Sequence, residues 1–320
     1  MSLRFLAALL AALALFAAAQ ALAQDRTLRI QVPFAPGGGT DILTRIIAPR
    51  LAERLAQPVI VENRPGAGGA VAARYTAAAA PDGQTVMMGT ISEIAINPNV
   101  NPKIGYDVRK DFVLIGPVAY APITVVVHPA VPAKSVQELI ALARAKPKSL
   151  NYGSAGTGSG SHMGAELFSH LTKIDITHVP YKGVGPAVAD TVSGQVQMTF
   201  TTVPSVVSFV RGGQLRALGV ASAQRAPQLP DVPTFIEAGV PEYLMDYWYC
   251  LVAPVATARE AQARLHGAVR DVMRISDVAA SLDKSGLLPL VMTAEEFAAY
   301  VRKENERWAA VVKAAGIKAQ

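Results

Sequence analysis

Two loops rich in glycine, serine and threonine carry the residue types best suited to holding a ligand. Residues 37–41 read Gly-Gly-Gly-Thr-Asp, and residues 153–161 read Gly-Ser-Ala-Gly-Thr-Gly-Ser-Gly-Ser. Each follows an apolar run and precedes a segment with helical spacing. Glycine lets the backbone approach a ligand closely, and the first N–H groups of a helix carry partial positive charge. Such a loop can hold a carboxylate or phosphate, although Thr40 or Asp41 could instead simply cap the helix.

The same loops do not match common catalytic or nucleotide-binding motifs. A P-loop needs a lysine after its last glycine, and neither loop has one. The nucleophile elbow G-x-S-x-G is absent around Ser154, Ser159 and Ser161, and Ser161 stands where a dinucleotide fingerprint needs its third glycine. No pair of carboxylates shares a loop at catalytic spacing. The loops therefore predict binding through backbone N–H groups and hydroxyls, with no cofactor.

The metal-binding residue types are scattered along the chain. Histidines occur at positions 128, 162, 170, 178 and 266, and the single cysteine is Cys250. None of them forms a zinc-site spacing, so no metal is expected. Cys250 lies in an apolar run, which favours a buried and unreactive thiol.

Several side chains near the loops have both a binding and a structural interpretation. His162 falls in the first turn of the helix after the second loop, where it could donate to an anion or only cap and pack. Lys182 lies in a strand-to-helix turn, a position also typical of a solvated lysine. Phe34, Tyr181 and Trp248 could form apolar walls of a pocket, although aromatic residues at strand ends usually belong to the core.

The elements that must position these loops alternate between short apolar strands and helices. Strands predicted at residues 28–34, 59–61 and 85–88 are each followed by a loop and a helical pattern. Successive β-loop-α units imply a parallel sheet, in which ligands bind beyond the carboxyl ends of the strands. The first helix contains Pro49, which is expected to kink or shorten it. The pattern resumes with a strand at residues 150–152.

Two passages of the chain predict a division into lobes. Apolar runs at residues 112–118 and 123–127 lead into the second α/β unit, and the Pro-rich stretch 229–233 marks a return. We therefore predict lobe 1 at residues 24–120 and 232–320, and lobe 2 at residues 121–231. Two α/β lobes joined by crossing strands are typical of a hinged binding protein that closes on its ligand.

The N-terminus and the charge distribution predict the compartment and exclude some partners. Arg4, the apolar run 5–19 and the A-x-A site at residues 21–23 read as a secretory signal cleaved after Ala23, which implies an exported, periplasmic chain. Lys plus Arg exceed Asp plus Glu by 30 to 24, giving a formal charge of +6. The basic residues are dispersed, so neither nucleic acid nor a membrane surface is an expected partner.

Six sequence blocks occur together and in order along the chain. They are VPFAPGGGTD at residues 32–41, VENRPGAGG at 61–69, PDG at 81–83, GSAGTGSGSHMGAELF at 153–168, HVPYKG at 178–183 and LPDVPT at 229–234. As a set, covering nearly the whole mature chain, they resemble the substrate-binding proteins of tripartite tricarboxylate transporters, the Bug-type receptors.

The resemblance implies a fold, a function and a set of binding residues. The fold is a two-lobed, Venus-flytrap binding protein of type II. The function is to pass a small organic acid anion to membrane permease subunits, with the receptor acting as a monomer. The first loop would supply Phe34, Ala35, Gly38, Gly39, Thr40 and Asp41, with Thr90 nearby; the second lobe would supply Ser154, Ala155, Gly156, Thr157, Gly158, Ser159 and His162; Lys182 and Gly183 would line the cleft, and Trp248 would lie near the lobe junction.

One departure from the family pattern bears on the ligand. Many relatives carry Asp-Asn where this chain has Thr201 and Thr202, and Thr201 is expected to contact the ligand at this position. The missing carboxylate argues against an amino acid ligand, and Phe34 and Trp248 leave an aromatic or short aliphatic carboxylate open.

Two other functions remain open at this point. An exported hydrolase would use a loop serine with His162 as its base. A sensor adaptor would use the same pocket and dock on a membrane kinase when closed.

Overall fold

The computed structural model describes residues 27–317, so the predicted signal peptide lies outside the described residues. Within this range, none of the helices combines the length and the apolar character that a membrane span requires.

The described chain alternates strands and helices, as the sequence pattern predicts. The strands are β1 Leu28–Val32, β2 Val59–Asn63, β3 Thr85–Thr90, β4 Phe112–Val127, β5 Asn151–Ser154, β6 Thr177–Pro180, β7 Met198–Thr202, β8 Arg216–Val220, β9 Asp246–Pro254 and β10 Leu288–Pro289. The α-helices are α1 Gly39–Leu55, α2 Ala70–Ala77, α3 Asn97–Val100, α4 Val108–Asp111, α5 Val136–Ala145, α6 Gly160–Thr172, α7 Val184–Val192, α8 Val203–Arg211, α9 Arg259–Val272, α10 Ser276–Ser285 and α11 Ala294–Ala315. A 3-10 turn at Ala67–Gly69 and a π-helix at Ser92–Ile96 complete them.

The sheet consists of two parallel units joined by antiparallel strands. Its order is β2-β1-β3-β9-β4-β7-β5-β6, with β8 and β10 also pairing with β4. β1 is parallel to both β2 and β3, and β5 is parallel to both β6 and β7. The N-terminal part of β4, up to Pro122, pairs with β9, and the rest pairs with β7 and β8. This arrangement confirms the predicted α/β fold of two lobes connected by a crossing strand.

The second crossing lies later in the chain than the sequence predicts. Asp246 on β9 pairs with Pro122, whereas the preceding segment packs on the second lobe. The ring of Phe235 lies 5.6 Å from that of Phe168 and 4.5 Å from that of Tyr243, centre to centre. Residues 232–245 thus belong with lobe 2, and we use lobe 1 for residues 27–122 and 246–317 and lobe 2 for residues 123–245.

The core of each lobe places one loop-helix junction at the edge of its parallel unit. α1 follows the carboxyl end of β1, and α6 follows the carboxyl end of β5. α1 continues through Pro49 to Leu55, so of the two effects expected of this proline, a kink or a shorter helix, the shorter helix is not found. The two helix N-termini therefore meet at the junction between the lobes.

Candidate functional site

The two Gly-rich loops face each other across a small cavity at the lobe junction. Among the predicted site residues, the structure brings together Phe34, Gly38, Gly39, Thr40, Ala155 and Thr201. Ile123, Ser161, Val184, Thr202, Tyr247 and Tyr249 complete the lining. The cavity measures about 20 Å³, which is room for about one water molecule. All of its lining residues are uncharged.

Asp41 braces the first loop instead of facing the cavity as the resemblance implies. Its Oδ1 accepts hydrogen bonds from Arg45 Nε and Asn63 Nδ2, each at 2.9 Å. Its Oδ2 accepts one from the Gly37 N–H at 3.1 Å. Asn63 also donates to the Phe34 carbonyl at 3.0 Å. These bonds fix the loop so that the first N–H groups of α1 point toward lobe 2.

The second loop uses most of its predicted ligand-binding hydroxyls internally. The Ala155 N–H donates to Ser161 Oγ at 2.8 Å, and the Gly156 N–H donates to Ser154 Oγ at 3.0 Å. Ser159 is the N-cap of α6, where its Oγ accepts from the His162 N–H at 3.3 Å. The serines therefore shape the loop.

Two glycines of this loop occupy the left-handed backbone region at a point of close approach. Gly156 has φ of 111° and Gly158 has φ of 81°. A Cβ on Gly158 would lie 2.3 Å from Asn97 Oδ1 in lobe 1. Glycine at position 158 is thus required both by its backbone conformation and by the proximity of the other lobe.

His162 is a neutral packing residue, so it does not supply the positive charge that could attract an anion. Its ring stacks on His178 with 4.2 Å between ring centres, and its Nδ1 accepts from the Gly158 N–H at 3.3 Å. Burial lowers the pKa of His162 to about 4. Burial, and then the proximity of His162, lower the pKa of His178 to about 4 as well. Both imidazoles are therefore neutral at neutral pH.

A serine does lie within hydrogen-bond distance of a histidine, but the pair differs from the predicted one. Ser154 Oγ is 2.6 Å from His178 Nε2, and Ser154 is fully buried. Within residues 27–317, His178 Nδ1 has no hydrogen-bond partner, so no carboxylate orients this ring. Glu166 lies near the other ring, with Oε1 3.9 Å from His162 Nε2. In the same range, no cluster of three His, Cys, Asp or Glu residues is placed to hold a metal.

Three hydrogen bonds cross between the lobes around the cavity. The Gly39 N–H at the start of α1 donates to Ser205 Oγ of lobe 2 at 3.0 Å. The Gly160 N–H at the start of α6 donates to Ser92 Oγ of lobe 1 at 2.9 Å. The Ala35 N–H donates to the Lys182 carbonyl at 3.0 Å. The first two bonds are reciprocal, because each helix N-terminus donates to a serine of the other lobe.

Lys182 and Gly183 contribute backbone contacts to this junction. The Lys182 side chain is exposed, so only its carbonyl takes part in the contact. A Cβ on Gly183 would lie 2.7 Å from the Ala35 nitrogen. Lys182 and Gly183 thus contact the opposite side of the junction through their backbone.

Besides the predicted Phe34, the aromatic residues that line the cavity are Tyr247 and Tyr249, which sequence reasoning missed. The predicted Trp248 lies between them on β9 and points to the opposite face, where its ring packs 5.7 Å from that of Phe297. Successive side chains of a strand alternate between faces, so Trp248 belongs to the lobe 1 core. Two tyrosines flanking it at period two were the available signal. Tyr249 Oη has no hydrogen-bond partner within residues 27–317.

Thr90 connects the cavity wall to a buried carboxyl group. Tyr247 Oη donates to Thr90 Oγ1 at 3.0 Å, and Thr90 Oγ1 donates to Glu93 Oε2 at 2.8 Å. Glu93 Oε2 also accepts from the Thr90 N–H at 2.9 Å. Glu93 is fully buried, and burial raises the pKa of its carboxyl group to about 8. Thr90 therefore faces Tyr247 and Glu93.

Two larger cavities lie away from the paired helix N-termini. One of about 370 Å³ lies at the junction beside the second loop and includes Gly156, Thr157, Arg74 and Lys103 in its lining. It is where the structure places the predicted residues Gly156 and Thr157. The other, of about 480 Å³, lies on lobe 1 between β4 and α9.

Comparisons with known proteins agree with this fold. The model of the tripartite tricarboxylate transporter family receptor matches residues 43–317. The chain is 34% identical over 294 residues to protein BugT of Bordetella pertussis, covering 92% of this chain and 90% of BugT. Among solved structures, R. palustris Rpa4515 with adipate is 36% identical with a TM-score of 0.88, covering 92% of this chain and 98% of that one. MatC (Rpa3494) from Rhodopseudomonas palustris with bound malate is 35% identical with a TM-score of 0.86, covering 90% and 99%.

Proposed function

Because the chain belongs to the tripartite tricarboxylate transporter receptor family, we propose that it is a periplasmic receptor that binds a small organic carboxylate between its lobes. It acts as a monomer and delivers the anion to the membrane permease subunits of a transporter. It binds its ligand without converting it.

One observation carries the proposal: two helix N-termini from different lobes converge on one uncharged cavity. The N–H groups of Gly39 and Gly160 already donate to oxygen atoms across the junction. Unpaired N–H groups and the helix dipole favour an anion at such a position. Since no lysine or arginine lines the cavity, backbone N–H groups and hydroxyls would have to bind a carboxylate here.

The lining favours a carboxylate without an ammonium group. Thr201 and Thr202 line the cavity, and none of its lining residues is acidic. Nothing in the lining would therefore compensate a buried ammonium. Phe34, Ile123 and Val184 offer apolar contacts to an aliphatic or aromatic chain. The structures with adipate and malate make these two dicarboxylates the first candidates.

A thermal-shift comparison tests the binding proposal. The protein is unfolded, dialysed and refolded to remove carried-over molecules, and is then titrated with adipate, malate and aromatic acids. A ligand that binds only the folded state raises Tm as its concentration exceeds Kd. Adipamide, the neutral diamide of adipate, is the matched control and should leave Tm unchanged. The proposal fails if no acid raises Tm, or if adipamide raises it as much as adipate.

A separate experiment tests delivery to a permease. Loaded and unloaded receptor are added to vesicles that contain the purified permease subunits or the periplasmic domain of a sensor kinase. Transport predicts ligand-dependent binding to the permease vesicles and uptake of the labelled acid. Ligand-dependent binding to the kinase domain alone would identify the sensor adaptor instead.

Binding without conversion is tested by NMR of the ligand after incubation with the receptor. Unchanged ligand signals are expected, because Ser154 is fully buried and within residues 27–317 no carboxylate orients His178. Ester turnover that is lost in Ser154→Ala would support the hydrolase.

A further inference from the structure

The two reciprocal bonds across the junction place serine hydroxyls against the first N–H groups of α1 and α6, the groups that the proposed function assigns to the ligand. Ser205 Oγ accepts from the first N–H of α1, and Ser92 Oγ accepts from the first N–H of α6. Both serines are buried, with 5% and 0% of their surface exposed. Each comes from the lobe opposite the helix it contacts. We call Ser92 and Ser205 the cross-lobe serine pair.

The hydrogen bonds around Ser92 determine which way its hydroxyl points. Thr90 Oγ1 donates to Glu93 and accepts from Tyr247 Oη. Because the Tyr247 proton is used there, the 2.9 Å contact between Ser92 Oγ and Tyr247 Oη requires Ser92 to donate. Its oxygen therefore offers only lone pairs to the Gly160 N–H, as a carboxylate oxygen would.

Ser205 is arranged in a similar way. Its Oγ lies 3.2 Å from Thr202 Oγ1, which can accept the serine proton. The oxygen then remains an acceptor for the Gly39 N–H. Both members of the cross-lobe serine pair thus present an acceptor to a helix N-terminus, as an anionic ligand would.

A carboxylate cannot accept hydrogen bonds from the Gly39 and Gly160 N–H groups while the two serines accept them. Each backbone N–H carries a single hydrogen, and the cavity of about 20 Å³ has room for about one water molecule. Ligand pockets usually measure about 300 Å³ or more. Binding a dicarboxylate therefore requires the lobes to move apart and both serine contacts to break.

We propose that the cross-lobe serine pair is a built-in competitor of the ligand. Its two bonds are among those that hold the lobes together, and they occupy the helix N-termini, so a carboxylate must displace both hydroxyls to bind. The two serine bonds thereby set the minimum binding free energy that a carboxylate must supply to open the junction between the lobes. The effect on affinity rests on the proposed function, whereas the effect on lobe closure does not.

The test compares Ser92→Ala, Ser205→Ala and the double variant with two matched controls. Ser208→Ala alters an exposed serine on the same helix as Ser205. Ser169→Ala removes a buried hydroxyl of α6 that has no hydrogen-bond partner within residues 27–317. Each refolded protein is measured by small-angle X-ray scattering, and its affinities for malate and adipate are measured by calorimetry. Circular dichroism checks the fold.

The double variant should have a larger radius of gyration than wild type and should bind the carboxylate about tenfold more tightly. Each single variant should improve affinity about threefold, as expected for the loss of one competing neutral hydrogen bond. Both controls should match wild type.

An unchanged radius of gyration in the double variant, or weaker carboxylate binding than wild type, overturns the proposal. If wild type binds neither malate nor adipate, the proposed ligand class is in doubt, and the scattering comparison still decides whether the serines close the lobes. Should the alanine variants fail to fold, Tyr247→Phe keeps both serines and removes the acceptor of the Ser92 proton. It should raise the radius of gyration, and no change in that variant would overturn the proposal.

Discussion

Substitution of Gly39 by alanine adds one carbon atom and tests directly whether the α1 N-terminus belongs to the binding site. A Cβ there would lie 2.5 Å from Tyr249 Oη and 2.6 Å from Thr202 Oγ1. Gly39→Ala should therefore place a methyl group inside the cavity beside the α1 N-terminus and abolish the Tm rise with a carboxylate, while circular dichroism stays unchanged. Calorimetric titration with adipate measures the loss of affinity.

Gly267→Ala is the matched control for that prediction. Gly267 lies on α9, and a Cβ added to it would have no atom within 4 Å. Alanine in an exposed helix stabilises by about 0.5–1 kcal/mol relative to glycine, so this variant should melt slightly higher and bind normally. Normal binding by Gly39→Ala would remove the α1 N-terminus from the site.

The location of the site could be predicted from the sequence, but the roles of its individual side chains could not. A glycine-rich strand-to-helix loop predicts exposed N–H groups whatever surrounds it. The role of a carboxylate depends on partners that are distant in sequence. Asp41 is held by Asn63, and Ser154 by His178, both more than twenty residues away. A pattern within one loop carries no information about those partners.

At the scale of the element, β9 shows why the sequence favours Trp248 over its neighbours Tyr247 and Tyr249 as a wall residue. A strand buried on both faces reads as a continuous apolar run and gives no polar alternation from which to assign its faces. Residues 247–254 are all buried. Only the neighbours of β9 reveal that Trp248 packs on Phe297 of α11 while Tyr249 faces the cavity.

Single substitutions of two neighbouring β9 aromatic residues distinguish an effect on stability from an effect on carboxylate affinity. Trp248→Phe removes buried volume beside Phe297 and should destabilise by about 1–3 kcal/mol, with carboxylate affinity unchanged. Tyr249→Phe keeps the ring and removes a hydroxyl that has no partner within residues 27–317, so stability should change little while affinity falls. Urea denaturation and calorimetry measure the two effects. A reversed pattern would place Trp248 in the site after all.

The second lobe boundary was misplaced for a different reason. The stretch at residues 229–233 is rich in proline, a composition shared by linkers and by turns within a domain. Here it is such a turn, because Phe235 and Tyr243 continue into the lobe 2 core. Composition alone does not distinguish these cases, since the difference lies in which aromatic residues follow.

At the scale of the whole molecule, the alternation of strands and helices was enough to predict two parallel units and a crossing strand. Such topology follows from short connections and burial, which local patterns report. The extent of closure was not predictable, because it depends on contacts such as those of Ser92 and Ser205 with the opposite lobe.

The stacked histidines His162 and His178 should make the stability of the protein depend on pH in the acidic range, below about 6.5. Folding lowers the pKa of His162 and His178 from the ordinary 6.5 to about 4, so the unfolded chain binds more protons between these values. Stability should fall as pH drops from about 6.5 to about 4, by up to about 1.4 kcal/mol per unit for each ring. Urea midpoints of His178→Asn should show a shallower decline than wild type over this range. An equal decline would contradict the neutral stacked pair.

The buried Glu93 carboxyl group should have the opposite effect on stability, which should fall as pH rises. Folding raises its pKa from the ordinary 4.5 to about 8, so the folded chain binds the extra proton between these values. The stability contributed by this group should be complete below about pH 4.5 and should be lost as pH rises to about 8. Glu93→Gln is neutral at every pH and keeps an acceptor for Thr90. Its urea midpoint should therefore decline less than that of wild type between pH 6.5 and 8, a range in which the histidine pair remains neutral. An equal decline of the urea midpoint in both proteins would mean that Glu93 is already ionised in the folded chain. Its charge would then be stabilised by Thr90 and by the hydrogen-bonded hydroxyls of Tyr247 and Ser92.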